Sequence, residues 1–94
     1  MRFRRRAKRD VLDAATWYET RRASLGLQFV QDVDATIERI LGNPQQFPIY
    51  EAPARRVLLS RFPYAVYYQT KPLVVLRVLH LRRHPDTWKV GTAG

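Results

Sequence analysis

The last third of the chain gathers groups suited to holding an anion. Arg55, Arg56, Arg61, Arg77, Arg82 and Arg83 are distributed among apolar and aromatic runs, and Trp88 closes the segment. Guanidinium groups fork onto phosphate or carboxylate, while aromatic faces accept stacked bases. All but Arg77 fall at expected strand ends or turns, where side chains reach outward, so Arg55, Arg56, Arg61, Arg82 and Arg83 are the strongest candidates for target contact. Arg77 sits within a strand and has two readings, a sheet-face partner of a distant acid or a target contact. Trp88 likewise has two, a lid on the sheet edge or an exposed contact.

His80 and His84 are the titrating groups nearest these arginines. His80 falls where a strand leaves the core, which suits a satisfied, partly buried imidazole better than acid–base work. A four-residue spacing across a proline-bounded turn does not make the two rings converge. With no cysteine and only Asp86 nearby, no metal site is expected, and no cofactor motif is present. Thiolate catalysis and disulfides are excluded by the same count.

Charge is segregated along the chain. Residues 1–9 carry +6, residues 10–54 carry −4 and residues 55–94 carry +7, within a net +9 over 94 residues. If both ends join one sheet, the field is polarised, which favours a polyanion or an acidic protein partner over a merely solvated surface. The longest aliphatic run, Leu73 to Leu76, is far too short to span a membrane. The basic opening lacks an apolar stretch behind it, which argues against a targeting segment and for the cytoplasm.

The elements that must position these groups are legible as periodicities. Met1 to Arg5 suits a short strand. Ala7, Val11, Ala14, Ala15 and Tyr18 have helical spacing, and Leu12 and Trp17 widen that stripe. A second stripe runs through Phe29, Val30, Val33, Ile37, Ile40 and Leu41, with Asp32, Asp34, Glu38 and Arg39 on its wet face. Gly42-Asn43-Pro44 ends it through a left-handed glycine cap and a proline that cannot continue the ladder. Asn43 to Ala54 reads as a loop pinned by Phe47, Ile49 and Tyr50. Strands follow near Arg56–Ser60, Tyr64–Gln69 and Leu73–Leu81, with Thr70-Lys71-Pro72 as a hairpin turn.

Period 2 places Tyr64, Val66 and Tyr68 on one face of their strand, opposite Ala65 and Tyr67. The last strand sorts into Val74, Leu76, Val78 and His80 against Leu73, Val75, Arg77, Leu79 and Leu81, with Arg77 facing away from the helices. The resulting fold class is α+β, a two-layer β-α-α-β-β-β domain with a helical hairpin on one face of a mainly antiparallel sheet. The other sheet face is left without a covering element. One domain over 1–90 and a frayed tail over 91–94 complete the expectation.

A family resemblance extends over nearly the whole sequence. Ala7-x-x-Asp10-Val11-Leu12-x-Ala14, Trp17-Tyr18, Gly26-x-x-Phe29, Asn43-Pro44-x-x-Phe47-Pro48, Arg61-Phe62-Pro63-Tyr64-x-Val66-Tyr67-Tyr68 and His80-x-x-Arg83-x-Pro85-x-x-Trp88 occur in order. Together they resemble the RelE/ParE superfamily of toxins from type II toxin–antitoxin modules. The resemblance implies a cognate antitoxin with an acidic amphipathic segment, and one of two mechanisms on one fold. ParE-like members inhibit DNA gyrase. RelE-like members are ribosome-dependent mRNA interferases, in which basic residues stabilise the attacked phosphate.

In the nuclease reading Arg61, Arg83, His84 and His80 would carry catalysis. The sequence departs from that pattern, because Tyr64 falls where many nucleases have arginine and Trp88 near the position of a terminal tyrosine. An indole cannot exchange a proton as a phenol does. The ParE-like branch is therefore favoured over the interferase. A general nucleic-acid-binding domain is the third reading, and it lacks a recognised reading helix.

Overall fold

The computed structural model of the chain describes residues 1–83. Its elements are β1 (Arg2–Phe3), α1 (Arg5–Arg21), α2 (Leu25–Gly42), β2 (Ile49–Glu51), β3 (Ala54–Leu58), β4 (Tyr64–Thr70) and β5 (Leu73–His80). They form the expected α+β domain, two helices against a five-stranded sheet of order β1-β5-β4-β3-β2. β1 pairs in parallel with β5, and every other pairing is antiparallel.

Small residues let α1 lie close to the sheet. Ala7 and Ala14 are fully covered, with Val11, Ala15 and Tyr18 half-buried beside them. Leu12 and Trp17, expected to widen this stripe, are instead 56% and 39% exposed. The helix hairpin turns at Ser24, which adopts a left-handed φ of 71°. Glu19 of α1 braces the turn by accepting the N–H groups of Ser24 and Gly26 at 3.0 and 2.9 Å, satisfying donors that open α2. A Cβ at Gly26 would lie 2.5 Å from the Ala15 carbonyl oxygen, so only glycine permits this helix approach.

α2 packs Phe29, Val33 and Ile40 onto Tyr64, Val66 and Tyr68. It ends at Gly42 as expected, but through an extended Asn43 (φ −161°) ahead of Pro44, without a left-handed glycine. Asp32 departs from its expected wet face. It is 5% exposed, because its carboxylate turns inward to the backbone of the β3–β4 connection.

The segment read as a plain loop contains β2, an outer strand paired with β3 at Ile49–Arg55. Phe47 does pack on the core, whereas Ile49 and Tyr50 are largely exposed, since an edge strand leaves one flank in solvent. The Lys71–Pro72 connection joins β4 to β5 as a hairpin.

The faces of β4 alternate as the sequence predicts, but those of β5 do not. Tyr67 pairs with Arg77 and Tyr68 with Val75, so Leu76 is an extra residue that shifts the phase. Val75 and Val78 consequently share the helix-side core, and Val74, Leu76 and Leu79 share the other face. That second face is not left bare. Ala54, Ala65, Tyr67, Val74, Leu76 and Leu79 form their own buried cluster, and Tyr50 leans edge-on against Tyr67 at 5.6 Å.

Candidate functional site

Just beyond the last residue of β5, the chain turns around a histidine. His80 Nδ1 accepts the backbone N–H groups of Arg82 and Arg83 at 3.0 and 3.2 Å, curling the chain as it leaves the sheet. The ring is seated edge-on against Tyr64, its cross-strand partner, at 5.1 Å. A histidine cap on an aromatic seat therefore fixes the direction in which the two arginines depart. Both are exposed.

The Arg83 guanidinium lies over the Trp17 ring at 5.0 Å, and Arg21 approaches the same ring at 4.3 Å. Arg83 thus joins the end of β5 to the outer side of α1. Between those elements runs a cleft of about 730 Å³ whose walls include Arg6, Arg9, Trp17, Tyr64, Val78 and Arg83. Tyr64 is itself buried, and burial raises its phenol pKa above the usual value while the nearby Arg83 charge opposes that rise. A phenol held neutral in this way packs and positions, and is poorly suited to surrender a proton near neutral pH.

The remaining candidate arginines are engaged elsewhere. Arg77 forms a two-pronged pair with Asp10 of α1 at 2.8 and 2.9 Å, with both side chains largely buried. Arg77 stays in register with Tyr67, on the face away from the helices, and meets Asp10 at the edge of β5, where the same carboxylate accepts the Val78 N–H. Arg55 donates to the Phe47 and Gln45 carbonyls at 2.6 and 3.2 Å, holding the loop before β2. Arg61 donates to Gln28 at 2.8 Å. Arg56 lies over Tyr50 at 4.4 Å, and beside it the Tyr67 phenol is raised by burial against the opposing hydrogen bond and charge of Arg56.

The structure thus brings His80, Arg82 and Arg83 together and disperses Arg55, Arg56, Arg61 and Arg77. His84 and Trp88 lie outside the described residues. No cluster of metal-ligating side chains occurs among the described residues, and no helix among them is long and apolar enough to cross a membrane.

Sequence reasoning missed Trp17, Arg6 and Arg9 as neighbours of this site. Their signal was present in α1, where Arg6, Arg9, Asp13 and Trp17 follow helical spacing on a flank separate from the alanines.

The sequence over residues 1–85 matches the family of the ParE toxin of type II toxin-antitoxin system, parDE. No curated protein sequence matches the chain. Among solved structures, a chain of the chromosomal ParDE TA system from P. aeruginosa superposes with a TM-score of 0.75 at 20% identity, over 84% of this chain and 91% of that one. That likeness is one of fold, and the family match is one of sequence across most of the chain. This protein belongs to the ParE family of toxins of type II toxin–antitoxin systems.

Proposed function

We propose that the chain acts in the cytoplasm as a growth inhibitor that binds and poisons DNA gyrase without catalysing a reaction, and that a cognate antitoxin neutralises it. The observation that carries this reading is the pair of exposed arginines at the end of β5, Arg82 and Arg83, presented by His80 beside Trp17. Such a rim binds an acidic or DNA-bearing surface through charge and shape, with no titrating group required.

Ribosome-dependent mRNA cleavage draws less support. Its acid–base step would need a group able to accept a proton beside a cluster of cations. Tyr64 is buried with a raised pKa, His80 Nδ1 is occupied by two backbone donors, and Arg61 and Arg77 are already partnered.

Inducing the protein in a bacterium and following plasmid supercoiling beside ribosome-phased mRNA cleavage tests the choice. Gyrase poisoning predicts altered supercoiling with trapped DNA breaks and intact mRNA. Site-specific cleavage of ribosome-bound mRNA, lost when His80 and His84 are both replaced by glutamine, would overturn it.

A further inference from the structure

The exposed flank of α1 carries more charge than the rim at the end of β5 requires. We infer that this flank grips the sugar–phosphate backbone of duplex DNA without reading its sequence, so that the toxin holds the duplex as well as the enzyme acting on it. The second half of that statement rests on the gyrase reading, and the first half does not.

The charge comes in two groups. Arg2, Arg4, Arg5, Arg6, Lys8 and Arg9 are exposed around β1 and the start of α1, where the first turn contains no acid and the helix dipole is already positive. Among the described residues, the only ion pair in this group is an exposed contact of 3.6 Å between Arg9 and Asp13. Near the other end of the helix, Arg21 and Arg83 lie over Trp17 at 4.3 and 5.0 Å. Arg6, Arg9, Asp13, Trp17 and Arg83 border one cleft, so the two groups share a side of the domain. Repulsion within the first group disfavours the isolated protein, and a polyanion relieves it.

Spacing selects the polyanion. From Arg6 to Trp17 the helix runs about 16 Å. That exceeds the roughly 12 Å width of a DNA major groove, so α1 laid across the groove rests its two basic groups on the strands that border it. Asp13, exposed between the groups, then faces the open groove, where no phosphate stands. Contacts of this kind supply affinity by releasing counterions and carry no sequence information. A single strand fits less well, because its bases need a stacking face and two guanidiniums already approach Trp17. An acidic protein surface fits less well too, since it would meet Asp13 between the cationic ends.

The test follows a short fluorescent duplex by anisotropy with the full-length protein and no gyrase. Affinity should fall steeply between about 50 and 200 mM salt and be equal for two unrelated sequences. Arg6→Gln with Arg9→Gln should weaken binding about tenfold or more at the lower salt and reduce the salt slope by about two. Its melting temperature should hold or rise, because arginines at a helix start oppose the dipole. Arg6→Lys with Arg9→Lys should keep most of the affinity and the slope, since a phosphate accepts a point charge as well as a fork. Arg39→Gln with Arg56→Gln removes the same charge near β3, which β4 separates from β5, and should leave the slope nearly unchanged.

Equal losses in the two glutamine variants would overturn the proposal, because binding would then belong to the diffuse positive field of the whole protein. So would tighter binding of a single strand than of the duplex, or capture of poly-glutamate by a protein that ignores the duplex. Duplex binding that behaves as expected in a protein without effect on supercoiling would instead defeat the gyrase reading and leave the DNA site standing.

Discussion

Asp32 of α2 accepts the backbone N–H of Arg61 at 2.8 Å, and the same carboxylate takes the N–H groups of Ser60 and Phe62 at 3.3 and 3.2 Å. A single buried side chain therefore organises the whole connection between β3 and β4. It also anchors the helix hairpin to the sheet, because the connection has no regular ladder of its own to satisfy those donors. Asp32→Ala should cost about 2–4 kcal/mol, given one charge-assisted network lost and donors left unpaired. Asp32→Asn retains a carbonyl oxygen and should cost less. Urea unfolding of both variants checks the order, and equal stabilities would show that solvent replaces the carboxylate.

A second intramolecular anchor joins α1 to β5. Asp10 binds both the Arg77 guanidinium and the Val78 N–H, with the ion-pair side chains only 12–13% exposed. Removing one partner leaves the other charge poorly solvated, so Asp10→Ala should cost about 3 kcal/mol. Asp10→Leu combined with Arg77→Met should recover most of that loss, leaving chiefly the unpaired Val78 N–H. Chemical denaturation of the single and double variants forms the measurement. A double variant as unstable as Asp10→Ala would mean that the pair orients β5 beyond balancing charge.

What periodicity revealed and what it concealed can be traced through the same residues. Tyr64, Val66 and Tyr68 alternate with Ala65 and Tyr67 without interruption, so β4 and its neighbours were readable from side-chain type. β2 escaped because three exposed residues among prolines carry no alternation long enough to register. Leu76 inverted the expected faces of the first half of β5, Leu73 to Leu76, while Val78 and Leu79 kept theirs, because an extra residue in a strand leaves composition unchanged while altering phase. Asp10 and Asp32 both fall inside the buried arcs of their helices, three residues after Ala7 and Phe29. That position was the available signal. The backbone donors that stabilise them there lie 68 and 28–30 residues away, beyond any local pattern. For the candidate site, the cationic end of β5 was evident in Arg82 and Arg83, whereas the contribution of Trp17 depended on the tertiary approach of α1.

The tyrosines make stability fall in alkali. Burial raises Tyr18, Tyr64, Tyr67 and Tyr68 above the ordinary phenol value. Each folded pKa exceeds its unfolded counterpart, so the neutral phenol's contribution is complete below about pH 10. As pH climbs past that point the unfolded chain releases these protons first, and stability is lost until the folded phenols also ionise. Melting temperature should decline through this window, with ionisation of these four phenols in the folded protein lagging behind that in the unfolded chain. Free ionisation of all the tyrosines in a fully folded protein would contradict the shifts. Tyr68→Phe should flatten the decline, although it also removes the 2.6 Å bond from the hydroxyl to the Pro44 carbonyl.

The last prediction separates the exposed rim from the arginines that hold the fold. Arg82→Ala with Arg83→Ala leaves the backbone N–H groups that cap onto His80 and removes only exposed guanidiniums. The principal packing loss is the Arg83 contact with Trp17, worth about 0.5–1 kcal/mol at an exposed site. The double variant should therefore melt close to the unaltered protein and yet lose its toxicity. Arg77→Ala and Arg55→Ala should do the reverse in part, lowering the melting temperature because each withdraws a partner from Asp10 or from the Phe47 carbonyl. Thermal unfolding and induced-growth assays on all three variants decide the matter together. A toxic Arg82/Arg83 variant would place the target surface elsewhere on the domain, and a collapsed one would make these arginines part of the fold.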